Sequence, residues 1–188
     1  METSTYQDVN QQVVERCKGG DNRAQYELYK LYSKAMFNVS MRITNDYAEA
    51  EDVLQEAFIS AFKNLHTYKS EASFGSWLKK IVVNAAINAI RKRRSELVPM
   101  DEHTAAEVPD EPTNEDDVEW QVDRVRRAIQ KLPDGYRVVL SLYLLDGYDH
   151  AEIGEILGVS ESTSKSQYSR ARKKLLEIMR EPHYTAGV

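Results

Sequence analysis

Apolar side chains recur at helical spacing in the first half of the chain, most clearly between residues 48 and 68. One stripe there is formed by Val53, Leu54, Ala57, Phe58, Ala61, Phe62 and Leu65. Residues three and four positions apart lie on the same side of an α-helix, so this stripe predicts an amphipathic helix. The runs of Val, Ile and Thr that build strands are missing from the chain. The pattern predicts an all-α protein.

Capping residues divide the first 95 residues into four predicted helices. These cover residues 9–18, 21–43, 48–68 and 74–94. Gly19-Gly20 ends the first helix, and Asp21 is placed to cap the second. Asn45-Asp46 forms a turn before the third helix, and Ser73 caps the fourth.

The second half of the chain also has a helical pattern. Its predicted helices cover residues 116–131, 134–145, 149–157 and 160–180. Asp149 and Glu152 have the spacing of a capping box, and Gly158 ends that short helix. Ser160 caps the last helix. Gly154 has no side chain, which favours a close approach of the last two helices.

The last two predicted helices, joined by a three-residue turn with one glycine, have the pattern of a helix–turn–helix. The core stripe of the final helix is Ser164, Tyr168, Ala171, Leu175 and Ile178. Its other face offers Ser162, Thr163, Lys165, Ser166, Ser169, Arg170 and Lys173. Short hydroxyl side chains let a helix enter the major groove, and cations reach bases and phosphates. The pattern favours DNA binding over the alternative of a solvated basic face.

A polar stripe runs along the fourth helix, formed by Lys80, Asn84, Asn88 and Arg91. Asn is unfavourable inside a helix, so the presence of two on one face needs an explanation. The sequence leaves two explanations open: recognition of a base by the amides, or hydrogen bonds to a neighbouring helix. The loop before this helix, residues 66–74, is polar and edged by aromatic residues. It suits stacking of an unpaired base, although such rings are more often core.

The third helix carries a second face beside its apolar stripe. Asp52, Gln55, Glu56 and Ile59 fall at offsets of three, four and seven positions. Acidic and amide groups around one exposed aliphatic side chain suit docking on a basic protein surface. The alternative is an ordinary solvated face.

Charge is distributed unevenly along the chain. The formal net charge is −5, which taken alone argues against a nucleic-acid binder. Residues 1–95 carry +3, residues 96–123 carry −11 and residues 124–188 carry +3. The acidic stretch contains three prolines between Leu97 and Glu119, which predicts an extended or disordered linker between two mildly basic blocks.

Several functional classes are disfavoured by composition. Cys17 is the single cysteine, which excludes a disulfide framework and a multi-cysteine metal site, and it is expected to be buried. The histidines are scattered, and a Gly-rich phosphate loop is missing, so we expect neither an enzyme nor a cofactor. A membrane span and a signal peptide are not evident, so the expected location is the cytoplasm. The remaining alternative is a helix–turn–helix regulator controlled by a sensing domain.

Four motifs in register resemble the bacterial extracytoplasmic-function sigma factors. They begin at Asp52 (DVLQEAF), Phe74 (FGSWLKKIVVN), Leu132 (LPDGYR) and Ile153 (IGEILGVS). The resemblance implies a transcription initiation factor with two small helical domains, sigma-2 and sigma-4, joined by an acidic flexible linker. The implied boundaries are 1–95 for sigma-2, 96–119 for the linker, 120–181 for sigma-4 and 182–188 for a tail.

The resemblance also implies roles for the residues singled out above. Asp52, Gln55, Glu56 and Ile59 would dock on the clamp of the largest RNA polymerase subunit, and the flap would be a further contact. Promoter DNA would be opened at the −10 element by Tyr68, Lys69, Phe74, Lys80, Asn84, Asn88 and Arg91. The final helix would read the −35 element. The linker would thread the channel that RNA later occupies. An anti-sigma factor is a further candidate partner, with the chain a monomer when free or in a 1:1 complex.

Three positions depart from the family's usual pattern. The final helix begins Thr163-Ser-Lys-Ser-Gln167 where the family often has Thr-Val-Lys-Ser-Arg. Ser164 is expected to weaken a core contact, and Gln167 replaces a cation, so the preferred −35 sequence stays open. Gly154 stands where the family usually has Ala.

Overall fold

The computed structural model describes residues 3–96 and 117–180 of the chain. Regular structure within these residues is helical and contains no strand, which confirms the all-α prediction. The helices are α1 (Thr3–Lys18), α2 (Asn22–Thr44), α3 (Tyr47–Lys63), α4 (Phe74–Glu96), α5 (Asp117–Gln130), α6 (Asp134–Leu144), α7 (His150–Leu157) and α8 (Glu161–Arg180). A short 3-10 turn spans Leu65–Thr67.

The chain divides into two compact units, Met1–Ser95 and Glu96–Val188. Most of the predicted acidic linker, residues 97–116, lies outside the described residues, as does the tail after residue 180. Residues 117–119, which the implied domain boundaries place in the linker, belong to α5, in agreement with the helix predicted over residues 116–131.

Side-chain caps set the helix boundaries of the first unit. The Asp21 carboxylate accepts hydrogen bonds from the main-chain N–H groups of Arg23 (2.8 Å) and Ala24 (3.3 Å) at the start of α2. Asn45 ends α2 in the left-handed region (φ 56°), and Asp46 then caps α3. Each cap of this kind contributes about 1 kcal/mol by satisfying free N–H groups at a helix start.

Two helix ends of the first unit differ from the prediction. The first helix begins at Thr3 and not at Val9, although it ends at Lys18 as predicted. The third ends at Lys63 and not near Tyr68. The Asn64 side-chain amide donates to the Ser60 carbonyl at 2.9 Å and so closes the last turn of α3.

The core of the first unit is formed by the apolar faces of its four helices. The side chains of Leu28, Ile43, Leu78, Val82 and Val83 are almost completely buried. The stripe predicted on α3 is buried with them, apart from the half-buried Phe62. Cys17 is buried as expected, and burial raises the pKa of its thiol.

The second unit packs α5, α6 and α7 against α8. Its buried cluster consists of Ala128, Ile129, Leu132, Leu140, Ala171 and Ile178. The buried Arg137 guanidinium donates to the Leu132 carbonyl (2.9 Å) and to the Asp134 carboxylate (2.6 Å), which ties the start of α6 to the turn before it.

The turn between α7 and α8 has the predicted chemistry. Asp149 and Glu152 form a complete capping box, and Gly158 ends α7 with φ 70°. A Cβ atom added to Gly154 would lie 2.8 Å from the Val159 carbonyl oxygen. The turn that leads into α8 therefore approaches α7 as closely as a glycine permits.

Candidate nucleic-acid interface

The face of α8 singled out in the sequence is exposed along its whole length. This holds for Ser162, Thr163, Lys165, Ser166, Ser169, Arg170 and Lys173. The opposite face carries the fully buried Ser164 and Ala171 and the nearly buried Ile178, so the core holds the helix while the polar face stays open. The core stripe predicted on this helix is confirmed, with Tyr168 and Leu175 half-buried.

Hydrogen bonds at the start of α8, including those of the Ser160 cap, orient its hydroxyl-bearing side chains. The Ser160 hydroxyl accepts from the Thr163 main-chain N–H at 3.1 Å and lies 2.8 Å from the Thr163 hydroxyl. The Ser166 hydroxyl donates to the Ser162 carbonyl at 2.9 Å. These bonds keep the side chains close to the helix, which leaves a narrow surface that fits a groove.

Two kinds of cation lie on this face. Lys165 pairs with Glu161 at 2.6 Å, and that carboxylate raises the pKa of Lys165. Arg170 and Lys173 make no ion pair within the described residues. Because an exposed ion pair contributes little, Lys165 can exchange Glu161 for a phosphate at small cost.

The polar stripe of α4 also faces solvent. Lys80, Asn84, Asn88 and Arg91 are exposed, whereas Leu78, Val82, Ala86 and Ile90 on the other side are buried. Neither Asn84 nor Asn88 has a hydrogen-bond partner among the described residues. The alternative of interhelical hydrogen bonds therefore has no support, and both amides are available to an external partner.

The loop before α4 differs from the expectation for its aromatic residues. Tyr68 and Phe74 are buried at 9% and 4% exposure, and they pack edge to face with ring centres 5.6 Å apart. Trp77 packs against both rings in a tilted arrangement, with ring centres 5.4 Å from Tyr68 and 5.6 Å from Phe74. A buried ring offers no face to a base, so Tyr68 and Phe74 support the loop in this conformation. Lys69, in contrast, is exposed.

A hydrogen bond from a side chain to the main chain holds this loop in shape. The Tyr68 hydroxyl donates to the Ala72 carbonyl at 2.7 Å, which closes the loop on itself. Ser70 between them has φ 60°, a conformation that costs a residue with a side chain about 1 kcal/mol. The loop is therefore a defined structure that presents Lys69, Ser70 and Glu71 to solvent.

The face predicted on α3 is exposed beside a shallow cleft. Asp52, Gln55 and Glu56 are exposed, and Ile59 has 55% of its surface accessible. The neighbouring cleft of about 270 Å³ is lined by Tyr29, Ser33, Lys34, Phe37, Tyr47, Glu51, Leu54 and Gln55. An apolar side chain among carboxylates is suited to a partner that is both basic and apolar.

The aromatic part of this surface was missed in the sequence. Tyr29 and Tyr47 are exposed at 40% and 62%, and Tyr47 packs edge to face on Phe37 at 5.2 Å. Tyr29, Ser33 and Phe37 are spaced by four residues on α2, which is a detectable signal for one face. The cleft itself depends on how α2 packs on α3.

Comparison with known families and relatives agrees with both units. Residues 28–96 match the family Sigma-70 region 2, and residues 123–175 match Sigma-70 region 4. The chain is 31% identical to the ECF RNA polymerase sigma factor SigW of Bacillus subtilis (strain 168), over 89% of this chain and 95% of that protein. The chain belongs to the extracytoplasmic-function sigma factors.

A second relative extends this agreement along the chain. The RNA polymerase sigma-H factor of Pseudomonas aeruginosa is 31% identical over 93% of this sigma factor and 98% of that protein. Among solved structures, the RpoE sigma factor of Bartonella quintana, crystallised with the anti-sigma factor NepR, matches with a TM-score of 0.58. Its identity is 22%, over 84% of this chain and 97% of that chain, and this likeness shows the fold.

Family membership makes this sigma factor a transcription initiation factor, and sigma factors are non-catalytic. The region 2 match contains most of α2 and all of α3 and α4, with both the α3 face and the α4 stripe. The region 4 match contains α7 and most of α8, which form the helix–turn–helix. Within the described residues, His, Cys, Asp and Glu side chains do not cluster in a group that would hold a metal ion. The described helices also include none long and apolar enough to cross a bilayer.

Proposed function

We propose that this sigma factor binds core RNA polymerase through the α3 face and directs it to promoters through α4 and α8. The polymerase contact would consist of Asp52, Gln55, Glu56 and Ile59 on the clamp of the largest subunit. The observation that carries the proposal is the exposure of every residue predicted on the α8 face, on a helix whose opposite side is core.

In this proposal α8 reads the −35 element in the major groove. Arg170 and Lys173 are long exposed cations without ion pairs in the described part of the chain, and they would reach base edges or phosphates. Ser162, Thr163, Ser166 and Ser169 would let the helix lie close to the bases. Lys165 would move from Glu161 to a phosphate.

The −10 element would be opened by the first unit. The free amides of Asn84 and Asn88 can each donate and accept hydrogen bonds at a base edge. Lys80 and Arg91 flank them with positive charge, and Lys69 extends that charge onto the loop. Tyr68 and Phe74 would act indirectly, because their buried rings support the loop that receives an unpaired base.

The same proposal assigns 1–95 to a sigma-2 domain and 120–181 to a sigma-4 domain. The acidic segment between them would lie in the polymerase channel, where its carboxylates resemble the charge of nucleic acid and growing RNA displaces it. The cell compartment of this activity would be the cytoplasm, where core polymerase and promoters are found.

The proposal is tested by reconstitution. The purified chain is mixed with core RNA polymerase and assayed for co-elution and for transcripts that depend on the promoter. Co-elution with initiation at specific sites is the expected result. DNA binding by the chain alone, without co-elution and initiation, would favour the alternative of a helix–turn–helix regulator.

We propose an anti-sigma factor as a second partner, since the related RpoE was crystallised with one. Such a partner would compete with polymerase for the α3 face and its aromatic cleft. The test co-expresses the chain with a candidate anti-sigma factor and measures displacement by core polymerase. Simultaneous binding of both partners would contradict a shared surface.

A further inference from the structure

His150 joins three helices of the second unit. It is the first residue of α7, and its Nδ1 lies 3.0 Å from the Ser164 hydroxyl on α8. Its ring is stacked on Tyr143 of α6, with ring centres 4.4 Å apart and planes 12° from parallel. It also meets the edge of Tyr168, the next residue of the α8 core stripe, at 5.5 Å.

Ser164 is fully buried, and its hydroxyl has His150 as its partner among the described residues. The Ser164 hydroxyl was expected to weaken an apolar core contact, but it also forms a hydrogen bond with His150. A buried hydroxyl without a hydrogen bond is unfavourable, so the orientation of α8 that makes this bond is favoured over orientations that break it. Thr163 and Lys165, the neighbours of Ser164, both lie on the exposed face.

Two contacts then define how α8 sits on α7. Gly154 and the carbonyl of Val159, in the turn that leads into α8, limit the distance of approach, because a Cβ atom at Gly154 would come within 2.8 Å of that oxygen. The hydrogen bond between the His150 ring and the Ser164 hydroxyl favours one rotation of α8 about its own axis. A rotation of about 10° moves side-chain tips on a helix by roughly 1 Å. Direct reading of bases depends on hydrogen-bond distances that tolerate only a few tenths of an ångström.

We infer that His150 is a positioning residue for −35 recognition, setting through Ser164 the rotation of α8 and hence its base preference without touching DNA. This inference rests on the proposed reading of the −35 element by α8. It also gives a physical role to Ser164, the position at which this chain departs from the family's usual apolar residue.

The test uses full-length variants assembled with core polymerase. His150→Phe keeps a ring on Tyr143 but removes the bond to Ser164, and Ser164→Ala removes the same bond from the other side. His150→Gln keeps a polar group within reach of Ser164. Ala151→Gln, at an exposed neighbouring position, is the matched control. Promoters carrying each base at each −35 position compete for one holoenzyme, so the relative preference does not depend on the fraction of active protein.

His150→Phe and Ser164→Ala are each expected to change relative preference by about threefold to tenfold at one or more −35 positions. The double variant should change it no more than one single variant does, while His150→Gln and Ala151→Gln should stay within about twofold of the parent chain. A uniform fall in affinity for all promoters, with the preference unchanged, would overturn the inference and leave His150 as a stabilising residue. Effects that multiply in the double variant would overturn it too.

A further pair of substitutions separates this inference from the proposed function. Arg170→Ala with Lys173→Ala removes the two exposed cations of the α8 face that the proposed function places at base edges or phosphates. If this variant keeps the parent preference at every −35 position, the proposed reading by α8 is wrong. If it changes the preference while His150→Phe and Ser164→Ala do not, only the positioning role is overturned.

Discussion

The ammonium group of Lys18 lies 3.1 Å from the main-chain carbonyl oxygen of Tyr68, fifty positions further along the chain. It also lies 5.4 Å from the centre of the Tyr68 ring and pairs with Glu15 at 3.0 Å. The last residue of α1 therefore holds the loop that leads into α4. Sequence reasoning gave Lys18 no role, because its partner is a main-chain atom brought near only by folding.

Lys18→Met should loosen this loop and weaken promoter opening. Loss of one hydrogen bond from a charged group predicts a fall in open-complex formation of about tenfold, with binding to core polymerase unchanged. Permanganate reactivity of the −10 region measures opening. Lys30→Met removes the same charge from an exposed position on α2 and is the control. Equal losses in both variants would assign the effect to net charge.

Replacing Asn84 and Asn88 together by Ala should have opposite effects on stability and on function. Both amides are exposed and have no partner in the described residues, and Ala favours a helix interior by about 0.5 kcal/mol over Asn. The melting temperature should therefore stay the same or rise, while promoter opening is lost and core binding is retained. Unchanged promoter opening would show that the polar stripe of α4 does not act on DNA and has a structural role.

Ile59→Asp should reduce affinity for core polymerase without unfolding the chain. Ile59 is 55% exposed, so its loss costs little in the free protein. At the centre of an interface, a desolvated aliphatic side chain contributes about 1–2 kcal/mol, which corresponds to roughly fivefold to thirtyfold in affinity. Gln12→Asp introduces one negative charge on the exposed side of α1 as the control. Fluorescence titration with core polymerase measures both, and equal affinities would remove Ile59 from the interface.

Gly135→Ala and Gly154→Ala form a matched pair. A Cβ at Gly135 meets no atom within 4 Å, so Ala there should stabilise α6 by about 0.5–1 kcal/mol. At Gly154 the gain in helix propensity is the same, but the added Cβ would lie 2.8 Å from a main-chain oxygen. That oxygen can move away only if the turn between α7 and α8 moves. Chemical denaturation should rank the Gly154 variant below the Gly135 variant. The reverse order would show that the turn relaxes freely.

Asp21→Asn should lower stability in a manner that depends on pH. The Arg16 guanidinium, 2.7 Å away, holds the pKa of Asp21 below its usual value, and main-chain donors of the cap act in the same direction. A lowered folded-state pKa adds stability above the ordinary pKa of about 3.9 and loses it as pH falls through the folded value. Asn keeps the cap but not the charge. The melting temperatures of the two proteins should differ at pH 6 and converge below about pH 4. A constant difference at every pH would contradict a role for the charge.

The helix boundaries were predictable where local chemistry sets them. Asp21, Asp149 and Gly158 act on main-chain groups within a few residues, and each cap lies where the sequence placed it. The end of α3 was misplaced because Leu65 continues the apolar stripe while Asn64 has already closed the helix. Apolar spacing alone does not distinguish a helix from a 3-10 turn that buries the same side chain.

The polar faces of the candidate nucleic-acid interface were also predictable in part, because they depend on spacing within one helix. Residues on one face of one helix, such as Asn84 and Asn88, share that face in any fold that keeps the helix. Tyr68 and Phe74 behaved differently, because a loop leaves the direction of a side chain to its tertiary neighbours. The aromatic cluster with Trp77 took both rings into the core.

The sequence by itself determined the helical class, the family and the polar faces of α3, α4 and α8, since these depend on spacing within one helix and on short motifs. Tertiary packing decided the contacts between distant positions. Lys18 meets the Tyr68 carbonyl, and His150 meets the Ser164 hydroxyl, only after helices pack together. Periodicity shows which side of a helix is buried, but the partner on that side depends on how the chain brings remote segments into contact.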